Sequence, residues 1–454
     1  MGRQLFGTDG IRGVAGEYPL DHQTVAAVGA ALGKWITTSQ GADRERAVVI
    51  GMDTRESGSW IAAEIAGGVA RHGVTAQFAG VTTTPGIAYL AKSGSFAAGV
   101  MISASHNPYR DNGIKIIGHN GFKLPDRTEE ELEEEIFRVT ASGASSKPAE
   151  LAVDHHLDDA YADHLARTIP GGLDGFDIVA DCANGGSYEL APELFRRLGA
   201  RVHAIGAEPN GLNINLDCGS LHLENLRATV LARGAQLGVA FDGDADRALF
   251  VSASGRIIDG DAVLLINGRD LHAAGRLKDR DGTPTVVATV MSNLGLERAL
   301  ERDGIQLLRT PVGDKYVLEE MLRRGSILGG EQSGHVIFLD SATTGDGILT
   351  ALRVMDVIRR SGRTLDELTA NLEVFPQLLV NVRVKNKRPL DELPAVQALI
   401  RDAESEFAGS GRVLVRFSGT EPLARVMVEG RSEDQVHQTA NRIADRLRAE
   451  LGAE

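Results

Sequence analysis

The sequence AGVMISASHNP occupies residues 98–108 and joins a short apolar run to a polar ending. The apolar run is too short for a typical helix, and it changes into small and polar residues before a proline. This pattern predicts a buried strand that delivers Ser105, His106 and Asn107 to a loop at its carboxyl end. Open α/β sheets place their ligand sites at such ends. An ordinary strand-to-turn transition uses the same residue types, so this stretch alone leaves both interpretations open.

Length, charge and cysteine content narrow the class of protein. A chain of 454 residues exceeds the size at which one core stops growing, so we expect three or four domains. A net charge of −14 argues against general binding to nucleic acid or an anionic membrane, although a locally basic cleft could still take an anionic small molecule. Two cysteines, no signal-peptide pattern and no apolar run that would span a bilayer lead us to expect a cytoplasmic protein.

A pattern of three strands alternating with two helices occurs three times along the chain. The copies begin near residues 48, 177 and 285, and their third strands are predicted at 97–102, 237–241 and 327–328. Strands that alternate with helices form parallel sheets, so the copies predict three similar α/β domains. Each copy places its most polar loop directly after the third strand. That coincidence favours a shared site over three unrelated turns.

The pattern changes after residue 376. Residues 378–384, 413–417 and 425–428 resemble half-buried strands, with helices predicted at 395–407 and 433–451. The predicted fold is therefore α/β: three similar mixed α/β domains with mostly parallel sheets, plus a smaller C-terminal α+β domain, arranged around a central cleft. The predicted domains are residues 1–150, 151–255, 256–373 and 374–454. An acidic run at 129–135 is typical of a solvated helix face.

Three carboxylates crowd the loop after the third strand of the second copy: Asp242, Asp244 and Asp246. Like charges this close resist full ionisation unless a cation lies among them, and Mg²⁺ prefers oxygen ligands. An EF-hand would need glycine at position 247 and glutamate at 253, where this chain has Arg247 and Ala253. The loop therefore predicts a metal site. An alternative interpretation makes Asp242 the nucleophile of an aspartyl-phosphate phosphotransferase.

A candidate phosphate-binding loop follows a predicted strand near the C-terminus. Ser418, Gly419 and Thr420 lie between Arg416 and Arg425. Hydroxyls, backbone N–H groups and bidentate guanidinium groups can bind a phosphate without the lysine of a Walker motif. The same residue types are also common in turns.

A candidate sugar-binding loop follows the third strand of the third copy. Glu331, Ser333 and His335 lie around Gly330 and Gly334, which allow a ligand to approach closely. A carboxylate beside a hydroxyl suits the vicinal hydroxyl groups of a sugar. An ordinary glycine-rich turn is the alternative.

Motifs in all four predicted domains resemble, in order, those of the α-D-phosphohexomutase superfamily. They are SASHNP at 103–108, DGDADR at 242–247, GEQSGH at 330–335 and RFSGTEP at 416–422. Three others, FGTDGIRG at 6–13, PVGDKYV at 311–317 and TTGDG at 343–347, are similar to those of bacterial phosphoglucosamine mutases. Lys315 departs from the arginine usual in that family. Relatives that act on glucose and mannose phosphates carry a histidine near Asp314, which this chain lacks.

The resemblance implies an isomerase that interconverts glucosamine 6-phosphate and glucosamine 1-phosphate and supplies UDP-N-acetylglucosamine and cell-wall precursor synthesis. It implies that Ser105, not Ser103, carries a phosphoryl group and that glucosamine 1,6-bisphosphate is the intermediate and activator. A phosphoglucomutase or phosphomannomutase of the same superfamily, and a non-catalytic sugar-phosphate binding protein, are the alternatives. A homodimer and an activating kinase are further predicted partners.

The resemblance also implies roles for individual residues. One Mg²⁺ per site would be held by phosphorylated Ser105 with Asp242, Asp244 and Asp246. Lys115 matches the proposed general acid/base, assisted by His106, while Arg12 and Arg247 would stabilise the charge of the phosphoryl group. The implied substrate-binding residues are Gly313, Asp314, Glu331, Ser333 and His335 for the sugar, and Arg416, Ser418, Gly419, Thr420 and Arg425 for the phosphate that does not react.

Overall fold

The first sheet is built around the strand at residues 98–102. A computed structural model describes residues 4–7, 9–39, 45–143, 146–418 and 422–452. The strands of this sheet are β1 Phe6–Gly7, β2 Gly10–Val14, β3 Ala47–Met52, β4 Thr75–Val81, β5 Ala98–Ile102 and β6 Asp111–Gly118. Their order is β1-β2-β6-β5-β3-β4; β3 runs parallel to β4 and β5, and the other pairs are antiparallel.

Helices cover both faces of this sheet. They are α1 His22–Ser39, α2 Gly58–Ala70, α3 Thr84–Ser93 and α4 Asp126–Ala141. Alternate residues of β3 face opposite sides: Val48 and Ile50 pack with α1, α2 and α4, whereas Val49 packs with α3. Helices α1 and α2 approach so closely that a Cβ atom on Gly29 would lie 2.4 Å from the Ile65 carbonyl oxygen. Both faces are therefore buried, which explains the near-continuous apolar runs of β3 and β5.

Glu133 of α4 departs from the solvated helix face predicted for residues 129–135. Its side chain is buried, and its carboxylate accepts hydrogen bonds from the backbone N–H groups of Gln4 (2.7 Å), Leu5 (2.7 Å) and Phe6 (3.1 Å). The carboxylate thereby anchors the N-terminal segment beside the core. The prediction was wrong at this position because it did not include a segment 127 residues away along the chain.

Replacing Glu133 with glutamine is expected to loosen this N-terminal segment. The variant loses the charge that strengthens three hydrogen bonds and turns an amide NH₂ group toward donors. We expect hydrogen exchange at the Leu5 and Phe6 amides to be about 30-fold faster, as read by mass spectrometry. Glu134→Gln, at an exposed neighbouring position, is the control; equal exchange in the two variants would contradict the anchoring role.

The second and third sheets follow along the chain. The second contains β7 Asp177–Asp181, β8 Arg201–Ile205, β9 Leu237–Phe241, β10 Ala248–Ser252 and β11 Ile257–Ile258, in the order β11-β10-β9-β7-β8. The third contains β12 Thr285–Thr289, β13 Gln306–Thr310, β14 Leu328–Gly330 and β15 Val336–Phe338, in the order β13-β12-β14-β15. The accompanying helices are α5 His155–Arg167, α6 Leu190–Arg197, α7 Glu224–Arg233, α8 Gly260–Ala273, α9 Leu294–Arg302, α10 Asp314–Arg324, α11 Gly347–Ser361 and α12 Leu365–Leu368, with a 3₁₀ turn at Gly219–Leu221.

The three sheets share one arrangement. In each, the first strand of the predicted repeat lies between the second and the third and runs parallel to both, giving β4-β3-β5, β8-β7-β9 and β13-β12-β14. An antiparallel strand then follows the third strand: β6, β10 or β15. The predicted repeat and the mixed α/β fold class are confirmed. The antiparallel strands were not predicted, and each polar loop therefore connects a parallel strand to an antiparallel neighbour.

The C-terminal sheet is antiparallel throughout. It contains β16 Gln377–Arg383, β17 Gly411–Phe417 and β18 Leu423–Gly430 in the order β16-β18-β17, with α13 Pro394–Phe407, α14 Glu433–Leu451 and a 3₁₀ turn at Leu390–Glu392. Apolar residues of both helices pack on the sheet, including Phe407 and Ile443. An antiparallel sheet with segregated helices is an α+β domain, which confirms the class predicted for this part of the chain.

The chain divides into two compact units. One comprises Met1–Met291 with Ile305–Ala370, and the other comprises Ser292–Gly304 with Asn371–Glu454. Helix α9 belongs to the second unit because the Leu294 N–H donates to Oε1 of buried Glu429 at 2.7 Å. The predicted domain boundaries after residues 150, 255 and 373 stay predictions. No helix in the described ranges has the length and apolarity needed to cross a membrane.

Candidate active site

Ser105 lies in the loop between β5 and β6 and contacts the loop that follows β9. Its side chain is buried, its φ is +52°, and its Oγ donates to Asp242 Oδ2 at 2.6 Å. Oγ also lies 3.2 Å from His106 Nδ1. A non-glycine residue at positive φ is uncommon and is maintained only where its surroundings hold it. The loop thus directs the Ser105 hydroxyl toward the aspartates of the second sheet.

Buried polar groups hold the Ser105 backbone in this conformation. The Ser105 N–H donates to Ser103 Oγ at 2.9 Å, and Ser103 Oγ donates to Asp53 Oδ2 at 2.6 Å. The Ser105 carbonyl oxygen accepts from Arg55 Nη2 at 3.2 Å and Asn215 Nδ2 at 2.9 Å. Asp53 also pairs with Arg55, but its burial outweighs that pairing and raises the pKa of its carboxyl group. Ser103 therefore supports the loop that carries Ser105.

Asp242, Asp244 and Asp246 converge after β9. Each carboxylate offers an oxygen within 4.8 Å of the others, and all three side chains are buried. Burial and the neighbouring carboxylates raise the pKa values of Asp242 and Asp246. Oδ1 of Asp244 and Oδ1 of Asp246 are buried and make no hydrogen bond to the described residues. Unsatisfied, mutually repelling oxygens are the donor set that a hard divalent cation accepts, so these residues fit Mg²⁺.

Lys115 extends from β6 into this acidic group. It is 2% exposed, and its Nζ lies 2.7 Å from Asp244 Oδ2, 3.0 Å from Asp9 Oδ2 and 3.9 Å from Asp246 Oδ2. Burial alone would lower the pKa of Lys115, but these carboxylates outweigh it and raise that pKa. Against its own burial, Asp244 has a lowered pKa because of Lys115 and a hydrogen bond from Thr84. Lys115 is therefore held as an ammonium group. A lysine that acts as a general base needs a lowered pKa, whereas the pKa of Lys115 is raised.

His106 and two arginines line the same site. Burial, together with the charges of Arg247 and Arg12, lowers the pKa of His106 to about 4, so its imidazole is neutral near pH 7. The backbone N–H of Arg247 donates to Asp242 Oδ1 at 3.2 Å, and the Arg247 side-chain Nε lies 3.7 Å from Asp246 Oδ1. The site thus presents a neutral imidazole beside Ser105 and guanidinium groups beside the carboxylates.

One of the predicted sugar-binding residues, His335, lies next to the metal loop. Arg247 and His335 form an isolated antiparallel bridge, and His335 Nε2 lies 4.0 Å from Asp246 Oδ2. The Gly313 N–H donates to Glu331 Oε1 at 3.2 Å, which joins the start of α10 to the loop after β14. His335 is buried, whereas Ser333 is exposed. The Asp314 carboxylate is paired with Lys123.

The predicted phosphate-binding loop belongs to the second compact unit. Arg416 lies opposite Arg425 in the pairing of β17 with β18, and burial together with the charge of Arg425 lowers the pKa of Arg416. The Ser418 carbonyl oxygen accepts from Lys387 Nζ at 2.6 Å. Two adjacent guanidinium groups favour an anion between them. Gly419 and Thr420 lie outside the described residues.

Sequence reasoning did not single out several side chains that complete the site. Arg55 and Asn215 carried no sequence signal, because each contacts Ser105 from a segment distant along the chain. Asp9 lies within the FGTDGIRG motif, which offered a signal, but its role as a partner of Lys115 was not foreseen. Lys123, which joins Asp9 to Asp314, was also missed.

Comparisons with known proteins match this arrangement over the whole chain. Four sequence models of the phosphoglucomutase/phosphomannomutase family match in order: alpha/beta/alpha domain I at residues 3–142, domain II at 159–255, domain III at 259–375 and the C-terminal domain at 379–446. The sequence is 59% identical to a phosphoglucosamine mutase of Solibacter usitatus (strain Ellin6076) over 452 residues, covering 100% of both chains. It is 51% identical to a phosphoglucosamine mutase of Koribacter versatilis (strain Ellin345), covering 99% of this chain and 98% of that one.

Solved structures share the fold. A phosphoglucomutase/phosphomannomutase family protein from Burkholderia thailandensis has a TM-score of 0.79 at 24% identity, covering 98% of this chain and 97% of that one. Aspergillus fumigatus N-acetylphosphoglucosamine mutase, solved in complex with GlcNAc-6P and magnesium, has a TM-score of 0.66 at 20% identity, covering 98% and 96%.

Three mixed α/β sheets with an α+β C-terminal part, and a buried serine directed at three aspartates, define a phosphohexomutase. Within that class, the sequence identity over the full length of the chain indicates which family it belongs to. The chain belongs to the phosphoglucosamine mutase family, whose members are isomerases.

Proposed function

We propose that this chain interconverts glucosamine 6-phosphate and glucosamine 1-phosphate by transferring a phosphoryl group to and from Ser105. The observation that carries the proposal is the position of Ser105 Oγ. It is buried, held at positive φ and 2.6 Å from the aspartate group. A serine there can carry a phosphoryl group whose charge the site offsets. Identity of 59% to a phosphoglucosamine mutase supports the choice of sugar.

The proposed reaction consists of two phosphoryl transfers. A hydroxyl oxygen of the sugar phosphate forms a bond to phosphorus while the Ser105 Oγ–phosphorus bond breaks, giving glucosamine 1,6-bisphosphate. The bisphosphate turns over in the site and returns its other phosphate to Ser105. A proton leaves the attacking hydroxyl and another reaches the departing oxygen in each transfer. We assign this acid/base work to Lys115 assisted by His106: Lys115 begins as the acid, and neutral His106 lies 3.2 Å from Ser105 Oγ.

The aspartate group is proposed to hold one magnesium ion. Asp242, Asp244 and Asp246, with an oxygen of phosphorylated Ser105, would hold Mg²⁺, which when bound offsets phosphoryl charge and draws electrons from the reacting phosphorus. The unsatisfied Oδ1 atoms of Asp244 and Asp246 support this assignment. Arg247 and Arg12 are proposed to stabilise the charge that spreads over the phosphoryl oxygens in the transition state.

Two sets of residues are proposed to recognise the substrate. The sugar is assigned to Gly313, Asp314, Glu331, Ser333 and His335, and the phosphate that does not react to Arg416, Ser418, Gly419, Thr420 and Arg425. The product would supply UDP-N-acetylglucosamine and cell-wall precursor synthesis. A homodimer, an activating kinase and a cytoplasmic location stay predictions.

Mass spectrometry combined with kinetics tests the proposal. The purified protein, treated with glucosamine 1,6-bisphosphate, is expected to carry phosphate on Ser105. We expect kcat/KM for glucosamine phosphate to exceed the values for glucose and mannose phosphates by about tenfold or more, since a site built to bind an amino group loses that interaction with a hydroxyl. An unmodified Ser105 after treatment would refute the mechanism. Equal kcat/KM values would favour a broad phosphohexomutase.

A further inference from the structure

The Asp9 carboxylate is shared by three cations. Its Oδ2 lies 3.0 Å from Lys115 Nζ and contacts Arg12, while its Oδ1 lies 2.6 Å from Lys123 Nζ. Despite its burial, the pKa of Asp9 is held well below its usual value by Lys115, Lys123 and Arg12. Asp9 therefore stays charged and fixes three cationic side chains from β2, β6 and the segment after β6.

Lys123 continues this network toward the start of α10. Its Nζ lies 2.6 Å from Asp9 Oδ1 and also 2.6 Å from Oδ2 of Asp314, the first residue of α10. Acidic and basic groups thus alternate from the metal loop to α10, in the order Asp244, Lys115, Asp9, Lys123, Asp314. Side chains of Lys123, Asp9 and Asp314 are 28%, 22% and 23% exposed, so they line accessible space where a ligand could approach.

A second ion pair joins the same helix end to the first sheet's helices. Lys315 Nζ lies 2.6 Å from Asp126 Oδ1 at the start of α4. This pair reverses the charges of Lys123–Asp314 and is more exposed, since Asp126 is 51% exposed. Lys315 Nζ also lies 3.9 Å from Glu319 Oε1 of its own helix, whereas Lys123 Nζ contacts Asp9. Both Lys123–Asp314 and Lys315–Asp126 are therefore lysine–aspartate pairs at the start of α10, and they differ in the second carboxylate that the lysine contacts.

We propose that Lys123 is a positioning residue that couples Gly313 and Asp314, at the start of α10, to the phosphoryl-transfer groups through Asp9. The inference rests on the proposed function. With Lys123 present, the charge of the Asp314 carboxylate is offset, and the neighbouring Gly313 N–H donates to Glu331. Without Lys123, the Asp314 carboxylate would lose this partner and would repel the anionic substrate. The loss should therefore appear mainly in KM.

Steady-state kinetics of Lys123→Met tests the coupling. We expect KM for glucosamine 6-phosphate to rise by about 10- to 100-fold with a smaller fall in kcat, because outer partners of site residues have effects of that size. Lys123→Arg should recover most of the loss. Lys315→Met removes the matched exposed pair and is expected to stay within about twofold of wild type.

A double-mutant cycle separates positioning from direct substrate binding. If Lys123 acts by neutralising Asp314, Lys123→Met should cost at least about fivefold less in the Asp314→Asn background than in wild type. The proposal would be overturned if the KM increases of Lys123→Met and Asp314→Asn simply multiply in the double variant. It would also be overturned if the KM of Lys123→Met lies within about twofold of wild type. Equal thermal midpoints would exclude unfolding as the cause. If wild type shows no turnover, the proposed function fails instead, and calorimetric binding of glucosamine 6-phosphate to the same proteins then decides the coupling.

Discussion

Replacing Ser105 with alanine is expected to abolish both phosphorylation of the protein and turnover of glucosamine 6-phosphate. The hydroxyl that accepts the phosphoryl group is removed, while the hydrogen bonds that hold the loop through the Ser105 backbone remain. Because no neighbouring hydroxyl occupies the same position, we expect kcat to fall by about 10⁴-fold or more, as for other enzymes that lose a nucleophile. The measurements are a coupled assay primed with the bisphosphate and intact-mass analysis of the protein.

Two further variants distinguish the alternatives to this mechanism. Ser103→Ala removes the acceptor of the Ser105 N–H bond and the donor to Asp53, so we expect it to keep its phosphate and lose about 10- to 100-fold in kcat. An aspartyl-phosphate enzyme predicts the reverse pattern: Asp242→Ala would lose the label and Ser105→Ala would retain it. A label retained in Ser105→Ala would therefore refute the phosphoserine assignment. A sugar-phosphate binding protein would bind ligand without any label.

The sequence predicted the parts of the fold that depend on local pattern. The third strand predicted at 237–241 matches β9 to the residue, and the copies predicted from near residues 177 and 285 begin there with β7 and β12. Short apolar runs bounded by polar residues are strong local signals. The loops carrying Ser105 and the three aspartates were found for the same reason. Strand β6 was missed, since its sequence DNGIKIIG includes turn-forming residues before the apolar run.

Contacts across long sequence separations could not be predicted from one sequence. Lys115 meets Asp244 across 129 residues, and Lys123 meets Asp314 across 191. No local pattern specifies which lysine meets which aspartate when the sheets pack. The pKa of Lys115 illustrates the consequence: a general base requires a lowered pKa, and the assembled carboxylates raise it. The acid/base role of Lys115 stays a prediction, and in that role Lys115 would have to release a proton while paired with Asp9 and Asp244.

Asparagine at position 242 or at position 244 is expected to abolish activity while changing stability in opposite directions. Asp242 is buried beside two carboxylates, which raises its pKa, whereas Asp244 pairs with Lys115 at 2.7 Å and has a lowered pKa. Without metal at pH 8, Asp242→Asn should therefore be more stable than wild type by about 1 to 3 kcal/mol, because it removes a buried repulsion. Asp244→Asn should be less stable by about 3 kcal/mol, because Lys115 loses its nearest partner.

The stability changes of the two asparagine variants should depend on pH in opposite ways. A carboxyl whose pKa is raised in the folded state adds most to the stability of the protein when it is protonated, and this stabilisation is lost as pH rises through the raised pKa. The stability gained by Asp242→Asn should therefore grow from about pH 4 upward. The Asp244 carboxylate stabilises the folded protein above about pH 4, and this stabilisation is lost as pH falls. The stability lost in Asp244→Asn should therefore become smaller in acid. Thermal midpoints in EDTA from about pH 3 to about pH 8 measure both changes. Added Mg²⁺ should raise the midpoint of wild type and neither variant. Midpoints that move together at every pH would contradict the opposite pKa shifts of Asp242 and Asp244. A magnesium shift that survives in both variants would mean that these carboxylates do not form the metal site.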